Sequence, residues 1–232
     1  MGLLALSIAP GIAICLFIYL KDKYNREPLW MLIISFLLGM FSTLPAIIIQ
    51  LLSGISLESL AGKSLQQVAF FAFMVVALSE ELSKFVMVRF FSFKKKVFDE
   101  PFDGIIYTVM VGMGFATVEN IGYVMEHGFT TGIVRMFLSV PAHATFAVLM
   151  GYHLGLAKFD TANRSKHSLL AILLPVLFHG AFDFFLFVGN SLLHIGGALV
   201  SFFVAIRLSR IAIRKHQQLS ENYLKEKGKG NY

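Results

Sequence analysis

The chain is poor in charge: of its 232 residues, 15% are charged and 56% are hydrophobic. A soluble globular domain usually carries about 25% charged residues. So little polar surface cannot cover a water-facing globule, which excludes that class. Cysteine is almost missing. The single Cys15 lies in the first apolar stretch and cannot make an internal disulfide, so cysteine usage does not decide the redox compartment. The stretch from Gly2 to Leu20 lacks a basic n-region and an A-x-A-like cleavage site, and it reads as a retained first span. Internal repeats, low-complexity tracts and linkers are also absent. The formal net charge of +6 is not gathered into one patch. Its distribution follows alternate loops, which excludes nucleic acid as a partner and makes charge a topology signal.

What is present is a succession of apolar runs, at roughly 2–20, 29–53, 65–91, 103–126, 131–157, 168–188 and 192–213. Each is near the roughly 20 residues needed to cross a bilayer, and the longer ones can tilt. In lipid every backbone polar group must be satisfied within its segment, so the runs are predicted to be helices. They are continuously apolar rather than alternating, which excludes a barrel. The expected fold is an all-α polytopic bundle of about seven transmembrane helices, one domain over 1–215 with a basic cytoplasmic tail at 216–232. Lys21, Lys23 and Arg26, then Lys94, Lys95 and Lys96, then Lys158, Arg164 and Lys166 mark three loops, and the tail adds Arg207, Arg210, Arg214 and Lys215. The intervening loops hold only Lys63. This alternation predicts the N-terminus outside and the C-terminus in the cytoplasm.

Several ionisable residues lie inside the apolar runs. Each acid at a span centre costs about 2.5–3.5 kcal/mol on insertion scales, so such residues mark function by default. The third run contains Ser79-Glu80-Glu81-Leu82-Ser83-Lys84, where Lys84 is at i+4 from Glu80 and i+3 from Glu81 and can approach both. A self-neutralised pair that only fixes packing would use one acid and leave the other. The fourth run contains Glu119 and Asn120, preceded by small residues at Gly112, Gly114 and Ala116 that allow close helix approach. The fifth contains His143, with Gly151 and Gly155 in small-xxx-small spacing, and the sixth places His179 and Asp183 on one face at i, i+4. Taken singly, His143 is as well explained by an internal hydrogen bond, and Glu119 by a hydrated interface.

Depth along the spans makes the combination stronger than its parts. Glu80, Glu81, His143 and His179 fall near mid-span, with Glu119 and Asp183 somewhat outward, so a compact bundle can gather them around one hydrated cavity. Two carboxylates and two histidines in a low-dielectric pocket have coupled titrations, and such a group can hold a proton and activate water. The same residues are competent zinc ligands, although H-E-x-x-H is absent. No cofactor is required by this reading, and zinc stays open on Glu80, Glu81, His143 and His179.

The sequence resembles the PrsW family of intramembrane proteases, distantly similar to the CAAX prenyl endopeptidases and bacteriocin-processing membrane proteins. The resemblance rests on Glu80-Glu81-x-x-Lys84, on Glu100-Pro101-x-Asp103-Gly104-x-x-Tyr107 running to Phe115-x-x-x-Glu119-Asn120, on His143, on His179-Gly180-x-x-Asp183, and on the 21–28 stretch. It implies a protease of the bacterial plasma membrane that cuts a single-pass membrane protein, typically an anti-sigma factor, as the first step of an envelope-stress response. It implies Glu80 as the water-activating base, with Glu81 its partner, His143 or Glu119 orienting the water, and His179 with Asp183 at the developing oxyanion. The supporting residues are Lys84, Glu119, Asn120 and Asp183. In the CAAX enzymes an arginine and a histidine stand where this chain has Lys84 and Glu119, which argues against a prenylated substrate. The alternative reading is a proton-coupled transporter or channel built on the same buried residues, and a third is a receptor or scaffold whose polar groups only specify packing. Against a transporter, seven spans do not divide into equal repeats.

Overall fold

A computed structural model describes residues 2–60, 62–189 and 191–228, and within them the regular structure is helical, with no strand. All seven apolar runs form helices. They are α1 (Gly2–Lys21), α2 (Leu29–Leu52), a run from α3 (Leu65–Phe70) to α4 (Leu78–Phe90), α5 (Asp103–His127), α6 (Phe129–Phe137) with α7 (Ser139–Phe159), α8 (Arg164–Val188) and α9 (Leu192–Glu226). Six of the seven are long and apolar enough to cross a membrane. The remaining one, 65–90, carries Glu80, Glu81 and Lys84, and its path is interrupted by a π-helical turn at Phe71–Ala77.

Two boundaries differ from the sequence reading. The run at 131–157 is divided at Leu138, whose φ and ψ of −121° and −69° leave the helical region, so a short α6 precedes α7. At the other end α9 does not stop near 213. It continues to Glu226 and buries His216, Ser220 and Leu224, so the segment begun as a basic tail is helical and packed at least that far. The last four residues of that tail lie outside the described residues.

Polarity is arranged inside out. Leu16, Phe17, Leu20, Trp30, Ile33 and Phe41 cover the outer surface, while Ser35, Thr117, Asn120, Glu80, Glu81, Lys84, His143 and His179 are buried. Water cannot stabilise such an exterior, and hydrocarbon can. Helix α5 forms the axis: 83% of its apolar window is buried, against 22–33% for α1, α2, α8 and α9. It packs on α1, α2, α4, α6 and α7.

Glycine makes these contacts possible. A Cβ on Gly39 of α2 would collide with the Val111 carbonyl of α5, and one on Gly114 of α5 with the Phe36 carbonyl of α2. Gly104, Gly151 and Gly155 bring α5 and α7 together in the same way. Backbones this close gain dispersion contact that bulkier residues would prevent, the main source of helix association in lipid.

Candidate active site

Helix α3 begins at Ser64, which closes a capping box with Gln67. Six residues later the ladder slips, and the Leu78 N–H donates to the Phe73 carbonyl five residues back. Such π turns rotate everything after them relative to a continuous α-helix and are common at functional sites. The turn is wedged against α8, where Gly180 leaves no room for a Cβ beside the Phe73 ring. Gly180 thus fixes the distance between the start of α4 and its own neighbour His179.

Glu80 and Glu81 occupy the first turn of α4 and are 5% and 0% exposed. Lys84, 3% exposed, places its Nζ 2.7 Å from Glu81 Oε1 and 3.6 Å from Glu80 Oε2. The spacing argument is borne out: one ammonium serves two carboxylates. Its third neighbour is His143 Nδ1 on α7, at 3.3 Å, and its Nζ also lies 4.1 Å from the centroid of the Phe115 ring. An ammonium has donors only, so Nδ1 of His143 accepts. The opposite nitrogen, Nε2–H, then donates to Glu119 Oε2 of α5 at 2.8 Å, which fixes the tautomer.

His179 on α8 stands between two acids, with Nδ1 2.8 Å from Glu81 Oε1 and Nε2 3.2 Å from Asp183 Oδ2. Donation to both at once requires the doubly protonated ring. Phe146 stacks on the imidazole at 5.0 Å with an interplanar angle of 16°. The two histidines meet edge to face at 5.1 Å. The network continues outward beyond the residues expected from sequence. Arg135 of α6 places Nη2 3.2 Å from Glu119 Oε2 and donates from Nε to Asn120 Oδ1 at 3.0 Å. Asn120 in turn donates to the Ser7 carbonyl of α1. Gln50 of α2 donates to Glu80 Oε1 at 3.3 Å.

A cavity of about 1000 Å³ opens beside this network. Glu80, Glu119, His143, His179, Asp183 and Arg135 line it, while Glu81 and Lys84 stand behind its wall. Gly54, Ile55, Ser56 and Glu126 also line it, so it opens toward the end of the bundle where the loops are poor in lysine and arginine.

The eight residues expected from sequence therefore come together, Asn120 at one remove through Arg135. Arg135 and Gln50 are additions. The signal for Arg135 was a lone guanidinium in an apolar run, and for Gln50 a lone amide in the last turns of another, but neither has a partner within helical reach in its own segment.

A family model described as "PrsW family intramembrane metalloprotease" matches residues 27–209. The chain belongs to the PrsW family. Curated relatives named Protease PrsW agree: that of Geobacillus kaustophilus is 39% identical over 185 residues, covering 80% of each chain. The Bacillus subtilis protein is 38% identical over 186 residues, 80% of this chain and 83% of the relative. The Halalkalibacterium halodurans protein is 33% identical over 214 residues, 91% of this chain and 97% of the relative. No solved structure gives a significant match. This PrsW-family chain is thus a multi-pass membrane peptidase of the bacterial cell membrane, which sets aside the transporter and scaffold readings.

The family description includes a metal, and the residues present fit one. Glu80, Glu81, His143 and His179 each offer a ligand atom, all within 4.8 Å of one another. Two nitrogens and two oxygens form a donor set suited to zinc. Glu80 Oε2 and Glu81 Oε2 have no hydrogen-bond partner among the described residues, so acceptor capacity remains. Lys84 supplies positive charge at the same place.

Proposed function

We propose that this PrsW-family protein makes the first cut in a single-pass membrane protein of the anti-sigma-factor type, initiating an envelope-stress response, with Glu80 activating the attacking water. The observation that carries this reading is the asymmetry of the acid pair: Glu80 lines the cavity and Glu81 does not. A water in the cavity gives its proton to Glu80 as its oxygen attacks the scissile carbonyl carbon. His179 keeps its Nδ1–H on Glu81 and turns its Nε2–H from Asp183 to the developing oxyanion. The peptide C–N bond then breaks as Glu80 returns the proton to the leaving amine. Glu119, held by His143 and Arg135, accepts a hydrogen bond from the water and orients it. If a metal takes part, Glu80, Glu81, His143 and His179 are its donors, and it would supply Lewis-acid polarisation and a more acidic water.

The charge-poor end of the bundle is the outer face in this reading, with the N-terminus outside and the C-terminus in the cytoplasm. The position of the cavity mouth supports a cut near the outer membrane surface, and a volume of about 1000 Å³ leaves room for a short peptide segment. The test is cleavage of a single-pass anti-sigma factor in reconstituted membranes, with and without a strong chelator. Glu80→Gln should lower the rate by at least about 100-fold, the lower range for loss of a general base. Full activity in Glu80→Gln would overturn the assignment. Chelator sensitivity reversed by zinc would move the same residues into a metal site.

A further inference from the structure

The last helix carries a row of cations that nothing among the described residues neutralises. Of the seven arginines in the chain, four have a partner inside the protein. Arg26 lies over the Tyr19 ring and Arg89 over the Phe93 ring, Arg135 pairs with Glu119, and Arg164 donates to the Ala157 carbonyl. The other three, Arg207, Arg210 and Arg214 of α9, are exposed and have no hydrogen bond, ion pair or ring contact among the described residues.

Their spacing puts them together. At roughly 100° per residue, positions i, i+3 and i+7 fall within about 60° of one another, and the row runs about 10 Å along the helix. Like charges at these spacings repel. The helix itself offers no relief: its first acid is Glu221, which is taken by Tyr24 and Lys225.

The surroundings of the row are apolar. Val200, Phe203, Val204, Leu208 and Ile211 are exposed on the same helix. Ser201 Oγ donates to the Phe178 carbonyl, which sets the register of α9 on α8. Counted along the two antiparallel helices, Arg207 and Arg210 come about level with the exposed Leu173 and Leu169. Arg214 comes level with Arg164 and Lys166, the first basic residues of α8. The row therefore starts in the apolar zone and ends at its border. Arginines so placed extend toward the membrane surface and seek an anion there.

We propose that Arg207, Arg210 and Arg214 form a binding surface for the headgroup of an anionic phospholipid, in the leaflet at the basic-loop end of the bundle. Charge complementarity names the occupant. Phosphate oxygens match the planar fork of arginine, which can donate two parallel hydrogen bonds to them. A zwitterionic headgroup brings a further cation to three that already repel, whereas an anionic one brings net negative charge. The opposite face of α9, with Phe202, Ser209 and His216, is buried, and the helix packs on α7 and α8. A lipid held on the row thus braces α9 against the helix that carries His179. None of the three arginines lines the cavity, so this surface and the proteolytic mechanism can fail separately.

The experiment uses the full chain in neutral detergent, titrated with phosphatidylglycerol, phosphatidylcholine or inorganic phosphate. Native mass spectrometry reads bound lipid and thermal unfolding reads Tm. Phosphatidylglycerol should bind saturably and raise Tm by several degrees, phosphatidylcholine should do so much less, and inorganic phosphate should have no effect. Replacing all three arginines (Arg207→Gln, Arg210→Gln, Arg214→Gln) should weaken phosphatidylglycerol binding at least about tenfold. Removing the same charge from another loop at that end (Lys94→Gln, Lys95→Gln, Lys96→Gln) should leave it unchanged. Arg210→Gln alone, expected to weaken binding in the same direction, serves if the triple variant does not fold. Equal protection of wild type by the two lipids, or undiminished phosphatidylglycerol binding in the arginine variants, overturns the proposal. So does an equal loss in the lysine variant, which would mean diffuse surface charge.

Discussion

Lys84 and Glu81 form the tightest ion pair inside the bundle, 2.7 Å between Nζ and Oε1, with neither side chain more than 4% exposed. Breaking a buried pair from one side leaves an uncompensated charge, which costs about 3–5 kcal/mol. Lys84→Met should therefore unfold at a much lower temperature than wild type, and Lys84→Arg should lose less. Thermal melts in one detergent compare the three. A Lys84→Met protein as stable as wild type would mean that the ammonium is not what holds Glu80 and Glu81 in place.

Arg135 reaches the site from α6 through Glu119. Hydrogen bonds to charged groups contribute about 1.5–3 kcal/mol each. If that support is felt at the transition state, Arg135→Ala should lower kcat/KM by roughly 10- to 100-fold. Arg135→Lys keeps the charge but not the fork that touches both Glu119 and Asn120, and should fall between. Steady-state cleavage of the same membrane substrate measures this. Equal rates in all three proteins would remove Arg135 from the machinery.

Two glycines on α5 make a paired test of packing. A Cβ on Gly114 would strike the backbone of α2, whereas one on Gly122 meets nothing within 4 Å. Gly114→Ala should destabilise by about 1–3 kcal/mol, the range for overpacking a close contact. Gly122→Ala should be neutral or stabilise by up to about 1 kcal/mol through helix propensity. Chemical or thermal unfolding of both variants decides it.

Stability should also depend on pH through Asp22, Glu27 and Glu100, buried where the α1–α2 connection meets the segment before α5. Burial pushes all three above their ordinary range, so the folded state holds protons that the unfolded chain releases from about pH 4 upward. Their contribution is complete below that point and is lost as pH rises through about 6, 7 and 8 in turn. Tm should therefore fall between pH 5 and pH 8. A Tm that rises over this interval would contradict the sign.

The fold was legible because hydrocarbon leaves so few options: a long apolar run has to become a helix, and all seven did. Within a single helix, spacing also sufficed. Lys84 meets both glutamates, and Asp183 meets His179, as i+3 and i+4 require. The unread parts depend on distant chain or on backbone detail. Arg135 finds Glu119 across two helices, and nothing in its own segment says so. The π turn and the break at Leu138 lie inside runs whose composition is as apolar as their neighbours. Asp22, Glu27, Glu100 and Asp103 were visible as a resemblance, but their burial together follows from two connections more than seventy residues apart.

The π turn has one more consequence. Along the outer surface, Phe70, Met74, Leu82, Val86 and Phe90 form a row at intervals of four or eight residues. An uninterrupted α-helix advances roughly 100° per residue and would drift off such a row within a few turns. The extra residue absorbed at Phe71–Ala77 resets the phase. Wound as an uninterrupted α-helix, the same residues would carry Glu80 roughly 100° around the axis, away from the cavity. Deleting one residue inside the turn would remove the surplus and the widened turn together, and should leave Glu80 facing the cavity. In this helix, whether Glu80 meets water is a matter of counting.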